Sequence, residues 1–145
     1  MDVLNRLIKK YDLSPQDLHL KILERDCNDD DKENIFSILL TLKENNYYIE
    51  MDDFGASNSS LAMIAIMPID LIELDRQFLN TKSSYKQKEV IHCIVQLSKS
   101  LDLEIIVEGV ETQEQADFLM TMGYQFAQGY HYYKPQPANS FLEIN

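Results

Sequence analysis

Asp52 and Asp53 stand side by side after an apolar run, Glu73 and Asp75 lie at the end of another, Glu108 and Glu111 flank the end of a third, and Glu24 follows a fourth. Carboxylates that recur at the ends of short apolar segments can supply oxygen ligands to hard divalent cations such as Mg²⁺ or Mn²⁺. Two such ions would polarise a phosphodiester and generate hydroxide. Acidic residues at strand ends also cap the following helices and face water, so the spacing alone leaves a metal site and solvated caps both open. The consecutive pair sharpens the question. Adjacent carboxylates repel, and a cation between them or a hydrogen-bonding loop must offset that repulsion. Gly55 supplies a turn after the pair, and Ser57, Asn58, Ser59 and Ser60 supply donors for a structured loop.

The elements that must position these groups follow from apolar periodicity. Val3, Leu4, Leu7 and Ile8 mark a first short helix, and Ser14-Pro15 is an N-cap and first-turn signal. Leu18 to Leu23 reads as a strand, and Ile35, Ile38, Leu39 and Leu42 predict one buried helix face. Tyr47 to Met51 is a second strand running into Asp52, and Leu61 to Met67 a short helix halted by Pro68. Ile69 to Leu74 is a third strand. Val90, Ile94, Leu97 and Leu101 stripe a long helix that Ser83 or Ser84 could cap. Leu103 to Val107 is a fourth strand, and Thr112 with Gln115 makes a capping box for a helix ending at Gly123. Tyr124 to Ala127 is the last strand. About five strands alternating with helices predict an α/β fold with parallel pairing through right-handed crossovers, in which the carboxyl ends of the strands form the functional face.

Composition narrows the partners. The 145 residues carry 13 Lys and Arg against 24 Asp and Glu, a formal charge of −11, which repels phosphate backbones and argues against a nucleic-acid polymer. Cys27 and Cys93 lack metal-site spacing and read as reduced structural thiols of a cytoplasmic protein. No apolar run is long enough to span a bilayer, and the first residues lack a signal-peptide core. His19, His92 and His131 read as structural or surface residues, although His131 could face a ligand, and Tyr130, Tyr132 and Tyr133 could stack on a base or simply cover the last strand.

Asp52-Asp53-Phe54-Gly55 with Ser59-Ser60-Leu61, Pro68-Ile69-Asp70, Glu108-Gly109-Val110-Glu111-Thr112, and Gln128-Gly129-Tyr130 with Pro135 resemble, in order and spacing, the motifs of the EAL family. These are bacterial cyclic di-GMP phosphodiesterases and their degenerate relatives. The resemblance runs from about Leu18 to Phe141 and implies a barrel related to the (β/α)8 type with Mg²⁺ or Mn²⁺ at its carboxyl face. Such barrels take roughly 240 residues. Residues 1–145 are therefore expected to be the C-terminal portion of a single EAL-like domain, an incomplete TIM-like barrel without the strands that carry Glu-Ala-Leu.

The resemblance implies Asp52, Asp53 and Glu108 as metal ligands, Glu111 as a neighbour in the catalytic motif, and Gln128, Gly129, Tyr130 and Pro135 on the ligand-binding side. Glu24, Gly55 and Ser59 would support the loop after the Asp pair. Two positions depart from the family pattern. Lys21 stands where the family has a ligand Glu, and Glu73 where it has a Lys thought to help activate the attacking water. The summed charge of the site is unchanged by the two together. A protonated Lys21 cannot ligate a metal and would compete with it for Asp52, so metal binding is expected to be weak or absent and the chain inactive. Either Lys21 substitutes for a cation or the site has drifted. The expectation is a cyclic di-GMP signalling module acting by ligand or protein binding, the alternative an active phosphodiesterase yielding linear pGpG when the missing barrel half is present. Open sheet edges and an exposed apolar interior predict a homo-oligomer, or pairing with that half.

Overall fold

The computed structural model describes residues 2–23, 32–55, 61–79, 85–124 and 126–141. Glu24, Cys27, the serines of 57–60 and the caps Ser83 and Ser84 lie outside them. Helix α1 (Asp2–Tyr11) leads into a 3-10 turn at Pro15–Asp17, capped by Ser14 and Asp17 in a reciprocal box, and then into β1 (His19–Leu23). There follow α2 (Lys32–Glu44), β2 (Tyr48–Phe54), α3 (Leu61–Ile66), β3 (Leu71–Leu74), a second 3-10 turn (Arg76–Leu79) and α4 (Tyr85–Ser100). The chain continues through β4 (Glu104–Val107), α5 (Gln113–Met122), β5 (Phe126–Ala127) and a one-turn helix α6 (Ala138–Phe141). All strand pairs are parallel and the spatial order is β1-β2-β3-β4-β5, the alternating α/β arrangement expected from the sequence. Among the described residues β1 and β5 are edges, and the sheet does not close.

Strand β2 runs further than its apolar residues predict. It continues through Asp52 and Asp53 because the pairing with β3 shifts between Met51 and Phe54, with Asp53 in the left-handed region at φ 58°. Aspartate tolerates that conformation better than most residues, and the Asp53 amide donates to Asp52 Oδ1 at 2.9 Å. The bulge returns Phe54 to the core. Helix stripes also differ in phase from expectation. The face of α4 against the sheet is Ile91, Ile94, Val95 and Ser98, which leaves Val90 exposed, and Ile38 on α2 points outward while Leu39 is buried.

Alternation along the strands separates two chemistries. Ile49, Met51, Ile72, Leu74, Ile105 and Val107 pack beneath α2, α4 and α5 in one apolar cluster. The opposite face carries His19, Lys21, Tyr48, Glu50, Asp52, Glu73 and Glu104, interspersed with Leu23, Leu71, Ile106 and Phe126. This corrects the expected apolar interior: the open face mixes charged and apolar side chains, and exposed apolar residues sit on helices, such as Val3, Ile66 and Met120, as well as on β5 at Phe126.

Asp70 ties the three central strands together at their amino ends. Its carboxylate accepts from the Ile49 amide at 2.8 Å and pairs with Lys43, its own amide donates to Ile49 O at 2.9 Å, and its carbonyl accepts from the Glu104 amide at 2.9 Å. Truncating the side chain leaves the Ile49 amide without its acceptor. Asp70→Ala is expected to lower the unfolding free energy by about 1–3 kcal/mol, read from the urea midpoint at unchanged m-value.

Candidate functional site

Lys21 lies on the edge strand β1, opposite Glu50 of β2, and its stem crosses β2 toward β3. Nζ comes to rest 2.6 Å from Glu73 Oε2, 3.8 Å from Glu108 Oε1, 3.9 Å from Asp52 Oδ2 and 4.0 Å from Glu50 Oε2. Glu50 is further held by His19, whose Nδ1 is 2.5 Å from Oε1 and whose ring stacks on Tyr48 with centroids 4.3 Å apart. Glu50 and Glu73 are 5% and 3% exposed, so these are buried acids with an ammonium partner rather than a solvated fringe. Asp52, Glu73 and Glu108 each offer a carboxylate oxygen within 4.8 Å of the others. Asp53, which the bulge rotates into the left-handed region, is not part of that group. Glu50 and His19 are missing from the sequence-based site. The i, i+2 spacing of Glu50 with Asp52, and of His19 with Lys21, is the signal that could have found them.

Electrostatics in the cluster are uneven. Burial pulls the Lys21 ammonium toward neutrality, but the hydrogen bond and charge of Glu73, joined by Asp52 and Glu108, hold it above the ordinary lysine range. Burial also dominates at Glu73. Assisted by hydrogen bonding with Asp52 and Glu108, it outweighs the Lys21 ammonium and pushes the carboxyl up to about 8. One ammonium thus does not neutralise the cluster, which retains a proton near neutral pH. Tyr48, on the same face, is likewise raised by burial and by the carboxylates of Glu104, Asp70 and Glu50.

The second half of the site is a pair of interlocked loops after β4 and β5. Val110 N donates to Gln128 O at 3.0 Å and His131 N donates to Val110 O at 2.9 Å. Gly129 permits this contact, because a Cβ there would fall on the backbone of Val110. Gly109, at φ 73°, lies against the Arg76 side chain, where a Cβ would approach to 2.8 Å. Glu108, Gly109, Glu111, Gln128, Gly129, Tyr130 and Arg76 line one cavity of about 270 Å³. Arg76 was not anticipated; it belongs to a 3-10 turn that no apolar period marks. Gly55 stands apart from this cavity, its carbonyl accepting from Gln77. Pro135 is exposed and does not line the cavity, and Lys134 sits 5.7 Å over the Tyr130 ring. Glu24 and Ser59, assigned to loop support, lie outside the described residues.

The raised Glu73 carboxyl has a thermodynamic consequence. Its folded value lies above the value of 4.5 for a free side chain, so between about pH 4.5 and 8 the folded state binds a proton that the unfolded state has released. Stability therefore falls as pH rises through that window. Glu73→Gln, which cannot titrate, is expected to flatten this part of the stability profile, measured by urea unfolding at half-unit pH steps.

The family model described as EAL domain matches residues 1–135. The probable cyclic di-GMP phosphodiesterase PdeB of Escherichia coli is 29% identical over 140 residues, covering 97% of this chain and 26% of that protein. The structure of EAL enzyme Bd1971 in its cAMP and cyclic-di-GMP bound form superposes with a TM-score of 0.87 at 35% identity, over 96% of this chain and 37% of that one. A manganese/cyclic-di-GMP complex of Klebsiella pneumoniae BlrP1 shares the fold with a TM-score of 0.79 at 23% identity, over 89% of this chain and 33% of that one. The chain thus spans about a quarter of the length of the first curated relatives it matches. A divalent ion at the site has donors of the right kind in Asp52, Glu73 and Glu108, but with the Lys21 ammonium bonded to Glu73 and within 4 Å of the other two, the set does not fit that ion. Motif order, parallel α/β topology and a family match across nearly the whole sequence lead to one conclusion: the chain belongs to the EAL domain family.

Proposed function

We propose that this chain is a catalytically degenerate cyclic di-GMP signalling module, cytoplasmic, acting by ligand or protein binding, and contributing the C-terminal strands of an EAL-type barrel. The observation that carries this reading is Lys21 Nζ at 2.6 Å from Glu73 and within 4 Å of Asp52 and Glu108. Metal-assisted phosphodiester hydrolysis needs carboxylates free to take a divalent ion, and losing one ligand commonly lowers rates by factors of about 10² or more. A cyclic dinucleotide carries two phosphodiester charges of its own. With four carboxylates and one lysine beside its place, electrostatics oppose tight binding. The Gln128-Gly129-Tyr130 cavity with Arg76 is where a nucleotide portion would find a cation and an aromatic ring.

The alternative is a metal-dependent phosphodiesterase completed by the rest of a barrel. It is favoured by the retention of Asp52 and Glu108 in one group within ligand distance. Incubating the 145-residue chain, and any longer native polypeptide containing it, with cyclic di-GMP and Mg²⁺ or Mn²⁺ separates the two readings. No linear pGpG above a denatured control is the expected result. Metal-dependent turnover would establish the alternative.

Assembly follows from the same architecture. Strand β1 and the two-residue β5 leave backbone groups unpaired at both edges of the described sheet, and such edges recruit strands. Multi-angle light scattering of the 145-residue chain is expected to report a dimer or larger species; a stable monomer would contradict edge pairing.

A further inference from the structure

Three facts about the Lys21 cluster belong together. The ammonium is bonded to a nearly fully buried carboxylate, Glu73, at 2.6 Å. It also lies within 4 Å of Asp52 and Glu108. The oxygens of Asp52, Glu73 and Glu108 lie within 4.8 Å of one another. The three acids thus share one cation, the Lys21 ammonium, which lies against Glu73 and within ion-pair distance of the other two. An ammonium has three N–H donors and no lone pair, so it donates to Glu73 and offsets the charge of Asp52 and Glu108 at ion-pair distance, but cannot join the acids as a ligand. Asp53 takes no part, its backbone being committed to the bulge and its amide to Asp52.

We infer that the Lys21 ammonium is a tethered cation standing in the divalent-ion position of this site, and that Glu73, rather than Asp53, completes the carboxylate set of that position. The inference rests on the degenerate reading of the same site and adds a specific reversal. Removing the ammonium while keeping Glu73 uncovers a three-carboxylate metal site, in which Glu73 takes over as an oxygen donor. A divalent ion entering the unmodified chain must first displace a charge that cannot diffuse away.

The test is a Mn²⁺ titration of the 145-residue chain by calorimetry, with free Mn²⁺ counted by electron paramagnetic resonance and folding checked by circular dichroism. Lys21→Met is expected to bind Mn²⁺ at least about tenfold more tightly than the unmodified chain, since one unit charge about 4 Å from a divalent ion is worth well over a factor of ten. Lys21→Met/Glu73→Gln is expected to lose that gain. Should Lys21→Met fail to fold, Lys21→Gln, which keeps a donor for Glu73 without the charge, carries the same expectation. Equal affinity in the unmodified and Lys21-substituted chains would overturn the tethered cation, and a gain that survives Glu73→Gln would overturn the role of Glu73. Neither result depends on turnover. Mn²⁺ binding by the unmodified chain as tight as that of Lys21→Met, without hydrolysis, would remove this inference and leave the proposed function standing, whereas hydrolysis by the unmodified chain would remove both.

Discussion

Parallel strands present successive side chains to opposite faces, and in this sheet that alternation keeps a charged face and an apolar core apart. The register pairs Lys21 with Glu50 and Leu23 with Asp52 across β1 and β2, while Ile49 and Met51 point to the helices. A slip of one residue would drive Glu50 beneath α2 and turn Met51 toward the open face. The apolar cluster thus fixes which groups meet around Lys21, although none of them belongs to it. Asp70 reinforces the register at the opposite end of the strands by binding the Ile49 amide with its side chain and the Glu104 amide with its carbonyl.

Gathering Glu50, Asp52, Glu73 and Glu108 around a single ammonium does not in itself stabilise the fold. Desolvating buried charges offsets most of the Coulomb attraction between them, and a cluster with more acids than bases keeps a proton rather than bearing all its charges. The rise of Glu73 toward 8, despite an ammonium at 2.6 Å, expresses that balance. Such an arrangement makes better sense as a property of the site than as a support for the sheet. Lys21 and Glu73, on strands separated by β2, bond to each other directly.

Around this cluster the loops are set by backbone geometry. The Glu108-Gly109-Val110 segment and the Gln128-Gly129 segment grip each other through amide hydrogen bonds that a side chain at Gly129 would prevent. This brings Glu108, which faces Lys21, and Gln128 with Tyr130, which face the cavity, into one corner. The 3-10 turn after β3 completes it by laying Arg76 against Gly109. No helix among the described residues is long and apolar enough to cross a membrane.

Much of this was legible in the sequence. Short dense apolar runs marked the five strands and period-3.6 stripes the larger helices, the Thr112–Gln115 box and Gly123 bounded α5 where they stand, and the ordered motifs identified the family. Those signals are local, and local physics suffices for them. What lay beyond was set by long-range geometry. Polarity counts could not show that the open face is charged rather than apolar, because facing is decided by register with a neighbouring strand. The exclusion of Asp53 from the carboxylate group depends on a bulge created where β2 and β3 fall out of step. Arg76 entered the site through a 3-10 turn that no apolar period marks, and His19 through register with Tyr48 and Glu50 on the neighbouring strand. Above all, the sequence showed a lysine and a glutamate 52 positions apart, and only the parallel packing of β1, β2 and β3 brought Lys21 and Glu73 into a single ion pair.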